Sequence, residues 1–467
     1  MTLPDLGVGI IHLPGLEPLV EAAQDLLDVV EIEPQTSWYR STRGYRERAD
    51  ALARVEELPY PALVHGVGFP VGGTHPPDPA AVALFAGTVA RLSAPWCSEH
   101  LSFNRFTDGE REHGTLFLLP PVQTPAGVAV AAANIRRMQQ AVGVPFAFET
   151  GVNYLRPQPG ELTDGAFFAA VAEAADCGIL LDLHNLWCNE RNGRQPVLEV
   201  LAELPLERVW EVHLAGGQEL DGFWLDAHSG PVPDDLMALA GTVLPTLPNV
   251  HAVIFEMGGP HLTAGIVPRL VDQLERIRGL WESRGRSSVV SGPVAGEPDG
   301  PAGEPAGLPA PADWETSLGR ALTGPASEDA DGDADPGIGI IRRIVQQARA
   351  GMVTEGLPRS VRLVLLAAGE ARLQALLADF WSSASPEQFA GREAAAFGRH
   401  LLERAGDIPY LGDTVSLELA LLRAQEEDAA QEILLTADPA RLLAALGAGT
   451  LPTPGPAGPY LVTVPAP

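Results

Sequence analysis

The chain contains no lysine; all 31 of its basic residues are arginine. That absence excludes a Schiff-base lysine and a phosphate-binding loop of the Walker type, both of which need the amine. The absence is read as a coding bias towards Arg and Ala. Positive charge is scarce as a whole, since 31 Arg stand against 60 acidic residues and leave a formal net charge of −29. Such a chain argues against nucleic acid as a partner, because neutralising phosphates needs a basic surface. Cysteine is rare as well: Cys97, Cys177 and Cys188 are too few for a disulfide framework in 467 residues, which points to a reducing compartment. No apolar run approaches the roughly 20 residues of a membrane span, and the first five residues carry no basic region. These absences predict a cytoplasmic protein with no membrane attachment.

What is present is a normal apolar content of 46% and a length that suits two to three domains of about 100–200 residues each. Residues 287–336 stand apart. They run through Pro, Gly and Ala (SGPVAGEPDGPAGEPAGLPAPA) into the acidic EDADGDADPG, with no apolar period that could offset ordering entropy, and are expected to form a flexible linker. Before it, residues 1–286 alternate short Val/Ile/Leu/Phe runs with Ala-rich stretches of helical spacing. Eight runs read as strands: 6–11, 29–33, 62–66, 96–100, 146–150, 179–183, 209–214 and 252–256. Helices are expected between them, over 16–28, 79–92, 126–142, 164–176 and 266–284. Strands buried on both faces read as continuous apolar runs. Eight such β-then-α units predict a (β/α)8 TIM barrel. The alternative, a doubly wound open sheet, lacks its Gly-rich phosphate turn after the first strand. Residues 337–450 lose the β rhythm and predict a small all-α domain, with helical spacing over 340–348, 361–380, 388–404 and 415–423. Residues 451–467 read as a disordered tail.

The strand ends carry the chemistry. In chain order they offer His12, Glu33, His65, Glu99-His100, Glu149, Asp182 with His184 and Asn185, His213 and Glu256; the loop after the seventh strand adds Asp226 and His228. One His after an apolar run is ordinarily structural, and one Glu at a strand end is ordinarily a solvated rim charge. All eight ends bearing such groups is a different matter, because every strand of a barrel points its C-terminal end at one mouth. Burying that many carboxylates without cations would cost several kcal/mol per charge, and a polynuclear metal site removes the conflict. Imidazole, carboxylate and amide ligands without thiolate suit Fe, Mn, Zn or Co. The number of ligands calls for two or three ions. His75, His113, His251 and His261 lie less favourably, and His75 and His251 are read as structural. Cys188 is read as a buried free thiol. Arg105 and Arg191, near the mouth, are read as solvated surface residues, with steering of an acidic peptide as the alternative.

The chain resembles the multinuclear non-haem iron-dependent oxidative enzymes, whose best-known members act in methanobactin biosynthesis. The matching pieces are VHGVG (64–68), SEHLSF (98–103), the ET–NYL segment (149–155), LLDLHN (180–185), VHLAGG (212–217), DAHSGPVP (226–233) and FEM (255–257). The resemblance implies a TIM barrel holding two or three iron ions, mixed-valent Fe(II)/Fe(III), with O2 as co-substrate. It implies one iron on His65, His100 and Glu149, the last bridging to a second iron on Asp182, His213 and Glu256. Asn185, Asp226 and His228 would complete a third site. Glu149, His65 and His100 are the implied catalytic group. The implied activity is oxidative modification of a residue, Cys first, in a ribosomally synthesised (RiPP) precursor peptide. The chain departs from the family in having His184-Asn185 where Asn-Asn is usual and Glu149-Thr150 where Glu-Asn is usual, which leaves open whether His184, like His12 and Glu33, binds metal. Residues 407–424 (DIPYLGDTVSLELALLRA) resemble the small helical partner proteins of these oxidases, so the chain is expected to be an oxidase fused in cis to a domain that binds the leader of its peptide substrate. Two rivals remain on the same barrel. A divalent-metal isomerase or endonuclease-like hydrolase would want the absent Lys or a basic groove, and a non-catalytic peptide-binding metal scaffold would bind metal without consuming O2.

Overall fold

The computed structural model describes residues 2–285, 307–323, 335–456 and 458–466. Eight parallel strands close into a barrel: β1 (Gly7–Ile11), β2 (Val29–Ile32), β3 (Ala62–Gly66), β4 (Cys97–His100), β5 (Phe146–Glu149), β6 (Gly178–Asp182), β7 (Val209–Ala215) and β8 (Ala252–Glu256). Each pairs with its neighbours in sequence, and β1 closes the ring on β8 through Gly7–Ile10 against Ala252–Phe255. The expected (β/α)8 architecture is the observed one. Its physical basis is the burial of both strand faces: β1, β3, β6 and β8 are buried at every position. Helices such as Pro79–Leu92, Pro125–Val142, Asp164–Ala175 and Val267–Ser283 cover the outside. Asp78, Thr124 and Thr163 cap the first three of these through side-chain oxygens.

Hairpins interrupt the β-then-α rhythm at the mouth. Trp38–Ser41 pairs with Gly44–Glu47 after β2, Phe103–Asp108 with Arg111–Leu119 after β4, and Gln218–Leu220 with Phe223–Leu225 after β7.

The C-terminal region holds the helices Pro336–Gly356, Pro358–Ala368, Glu370–Ser383, Ala390–Arg404, Leu411–Glu427 and Pro439–Gly447 around their own core, which includes Leu357, Leu363, Phe397, Leu401 and Val415. Three readings of the sequence need correction here. The single helix expected over 361–380 is two, broken at Gly369, whose φ of +81° ends the first. The region is not all-α, because Gln431–Leu435 pairs antiparallel with Tyr460–Val464, a strand inside the stretch read as a disordered tail. Most of 287–336 lies outside the described residues, but Pro311–Thr323 within it is a helix, not a flexible linker. Its Leu318 and Leu322 join Phe103, Leu119, Tyr154 and Leu155 of the mouth loops and Ile340, Ile341 and Val345 of the next helix in one apolar cluster. The buried Glu315 anchors it, accepting from Thr74 N at 2.6 Å and Thr74 Oγ1 at 2.5 Å. The C-terminal helices therefore sit over the barrel mouth.

Candidate metal centre

Register alone brings the first groups together. In the barrel, His100 of β4 stands opposite Glu149 of β5, and Asp182 of β6 opposite His213 of β7. Neighbouring strands lie about 4.7–4.9 Å apart in the hydrogen-bonding direction, so such partners are within reach of a shared ion. Glu31, His65, Glu149, Asp182, His213 and Glu256 are each at most 3% exposed. Their ligand atoms fall into three groups capable of holding an ion: His65, His100 and Glu149; Glu149, Asp182 and His213; and Glu31, His213 and Glu256. Glu149 belongs to the first two groups and His213 to the last two, so the groups form one connected set.

The ring orientations are fixed from behind. His65 Nδ1 lies 2.8 Å from Ser98 Oγ, and His100 Nδ1 lies 2.9 Å from the Gly66 carbonyl oxygen. The carbonyl can only accept, so Nδ1 of His100 carries a proton and Nε2 is the nitrogen left to face the interior. Nε2 of His65 and of His100 then meet the same oxygen, Glu149 Oε2, at 3.1 and 2.9 Å. Lone pairs facing one carboxylate oxygen repel unless a proton or a cation lies between them. His213 is hemmed in on both sides, with Nδ1 at 3.2 Å from Glu256 Oε1 and Nε2 at 2.9 Å from Glu31 Oε2. Neither contact has hydrogen-bond geometry, and both Glu31 oxygens, Asp182 Oδ2 and Asn185 Oδ1 are likewise buried without a hydrogen-bond partner. Orphaned polar atoms at this density are costly in a folded interior. Oxygen and imidazole donors converging without hydrogen-bond geometry are what first-row divalent ions bind, so the residues fit a metal centre.

The titration behaviour follows from the crowding. Burial, then the charges of Glu149, Glu256 and Asp226, push the Asp182 carboxyl well above its ordinary range. Burial and Glu211 push Glu31 up to about 7. Burial depresses the imidazoles of His100 and His213, but Glu149 lifts the first and Glu256 with Glu31 the second well above the usual value. Burial opposes ionisation of Glu149, but His100 and His65 outweigh it and hold that carboxyl well below its range. The protein alone thus keeps positive charge here only by protonating histidines, a role that cations can take over.

The remaining sequence-derived candidates lie at the rim. Asp226 Oδ1 is 3.0 Å from both His184 Nδ1 and His228 Nε2, and His228 Nε2 is 3.3 Å from Glu256 Oε2. His228 adopts a left-handed backbone, φ +46°, a strain characteristic of functional loops. Asn185 donates through Nδ2 to Glu149 Oε1 at 3.0 Å, and its backbone N–H is capped by Asp182 Oδ1 at 2.8 Å. Asp226, His228 and Asn185 therefore adjoin the connected set. His184 faces Asp226, stacks on Trp187 and has Cys188 Sγ 3.6 Å from Nε2. His12 and Glu33 enter no metal group. Neither does Arg191, which pairs with Asp235 and stacks on Trp187.

Sequence reading missed Glu31, which occupies a group with His213 and Glu256, and Glu211, which accepts from Trp96 Nε1 at 2.9 Å behind His213. Both sit two residues before the strand-end group that was singled out, Glu33 and His213. Strand alternation at i and i+2 was the available signal.

Residues 6–280 match the family of the RiPP precursor modification enzyme MbnB/TglH/ChrH. A UPF0276 protein of Streptomyces avermitilis is 32% identical over 244 residues, covering 50% of this chain and 48% of that protein. Another, from Chromobacterium violaceum, is 30% identical over 232 residues, 48% of this chain and 81% of its own length. The chain thus spans about half the length of the Streptomyces relative. Among solved structures, D-psicose 3-epimerase from Clostridium cellulolyticum, with D-tagatose, aligns over 60% of this chain and 96% of its own, with TM-score 0.37 and 12% identity.

Proposed function

Because the chain belongs to the MbnB/TglH/ChrH family of RiPP precursor modification enzymes, we propose that its barrel is an O2-dependent iron enzyme that oxidises a residue, Cys first, of a ribosomally made precursor peptide. The observation that carries this reading is the connected set of buried imidazoles and carboxylates, in which both ring nitrogens of His213, both Glu31 oxygens and Asp182 Oδ2 have no hydrogen-bond partner. In this reading His65, His100 and Glu149 would hold one iron, and Glu149, shared between two of the groups, would also serve a second. Asp182, His213 and Glu256 hold that second ion, joined by Glu31, which sequence reasoning did not include. Asn185, Asp226 and His228 would complete a third, rim-side site. Iron held there supplies the O2 binding and one-electron chemistry that side chains lack.

The chain's own residues do the rest. Ser98 and the Gly66 carbonyl aim the two imidazoles, and Asn185 holds the Glu149 carboxylate in place. His184 keeps Asp226 turned towards His228. The hairpins and the helix Pro311–Thr323 wall the mouth against bulk water, which suppresses competing reactions. The C-terminal helical domain is proposed to bind the peptide leader in cis, where tethering replaces a separate binding event.

Anaerobic purification of the full chain followed by metal analysis tests the reading. Two or three irons per chain are expected. Zinc in their place, with no activity regained on iron reconstitution, would remove it.

A further inference from the structure

The barrel mouth opens into a cavity of about 1020 Å3 that starts at His100, Asn185 and Asp226 and continues under the helices Ala390–Arg404 and Leu411–Glu427. Its charge runs opposite to that of the chain. Arg40, Arg48, Arg105, Arg392, Arg399 and Arg423 line it, against Asp78, Glu355 and Glu426 away from the metal groups. Arg40 pairs with Asp78 at 3.8 Å, Arg392 with Glu426 at 2.9 Å and Arg105 with Glu112 at 3.2 Å. Among the described residues, the guanidinium groups of Arg48, Arg399 and Arg423 have no acidic partner. One lining acid, Glu355, lacks a partner in return. Arg392 and Arg399 share a helix face, being about two turns apart. Arg423 reaches the cavity from the neighbouring helix, and Arg48 from the barrel side.

A net charge of −29 would repel an anion at long range. Beyond about 8 Å at physiological ionic strength that repulsion is largely screened, and the local arginines decide. Guanidinium groups fit carboxylates in bidentate geometry. Met352, Phe389 and Leu422 line the same space and offer apolar contact for ordinary side chains.

We infer that this cavity binds an acidic stretch of polypeptide, gripped by Arg48, Arg399 and Arg423, while a neighbouring residue of the same peptide reaches the metal groups. The inference rests on the reading of the barrel as a peptide-modifying enzyme and deepens it by naming the substrate class. It assigns to the C-terminal helices a charge-reading wall, a role distinct from the rim arginine Arg191.

Fluorescence anisotropy on the full-length protein tests it with three labelled probes: a short Glu/Ala peptide, its Gln/Ala counterpart, and a single-stranded oligonucleotide of equal charge. The Glu peptide should bind about tenfold tighter than the Gln peptide at low salt and lose that margin as salt rises. Arg399→Glu with Arg423→Glu should erase the preference. So should the gentler Arg399→Gln with Arg423→Gln, which guards against misfolding of the reversal. Arg269→Glu, at an exposed position of the outer helix Val267–Ser283, should leave it unchanged. Equal binding of the two peptides, a preference that survives both double variants, or tighter binding of the oligonucleotide would overturn the inference. None of these readouts needs iron or O2. A chain that binds the Glu peptide but oxidises nothing would count against the oxidase reading alone, and the converse against this one alone.

Discussion

Ser98 contributes no ligand atom, yet it decides where His65 points. Its hydroxyl sits 2.8 Å from Nδ1, so Nε2 is left facing Glu149. Groups that orient a ligating imidazole are typically worth about 10- to 100-fold in metal affinity. Ser98→Ala should weaken iron binding by about that factor while the fold persists, measured by competition with a chelator; unchanged affinity would show that His65 is held by packing alone. Protons compete for the same atoms. The metal-free chain holds His65, His100 and His213 above the ordinary imidazole range, because the facing carboxylates outweigh burial. Ligands must shed those protons to bind metal, so affinity should fall as pH falls. Titration of bound iron against pH checks this, and a pH-independent or inverse trend would contradict the ligand assignment. At this scale much of the candidate site was legible in the sequence, since His65, His100, Glu149, Asp182, His213 and Glu256 are each the polar end of an apolar run. Glu31 and Glu211 were not, because each lies inside its run and reads as an interruption of a strand instead of its inward-facing chemistry.

At the scale of elements, the eight barrel strands were readable because burial on both faces leaves an uninterrupted apolar signature. The mouth hairpins were not. They are short, mixed in polarity and only partly buried, as in Phe103–Asp108, and fall in stretches to which no element was assigned. The helix Pro311–Thr323 was hidden by its flanks: Trp314, Leu318 and Leu322 recur every four residues, but Pro- and Gly-rich sequence surrounds them. The strand Tyr460–Val464 was masked in the same way. One contact tests how these added elements hold the C-terminal helices. A Cβ at Gly337 would come within 2.2 Å of the Tyr154 carbonyl oxygen, a backbone atom with little freedom to retreat. Gly337→Val should therefore lift the first turn of Pro336–Gly356 from the mouth, at a cost of about 1–3 kcal/mol. Hydrogen exchange should speed up at residues 151–156 and 337–341; unaltered protection there would mean that the docking does not rest on this approach.

Taken whole, the molecule sets a buried acidic centre at one end of a cavity and an arginine-lined wall at the other. No helix among the described residues is long and apolar enough to cross a membrane. The formal charge of −29 counts carboxylates that face one another in the barrel, and two or three bound ions would offset part of it. The missing lysine also gains a consequence. A Lys-using isomerase on the same barrel type would find no such residue in this sequence. Iron in this barrel is proposed to oxidise a peptide with O2. The most direct measurement mixes the anaerobic, iron-loaded full-length protein with a Cys-containing precursor peptide, with and without O2, and reads intact and fragment masses of the peptide. A mass change that requires both iron and O2, maps to the Cys and is absent when that Cys is Ser is the predicted result. Peptide that stays unmodified beside a fully iron-loaded protein, or changes equally without O2, would contradict it.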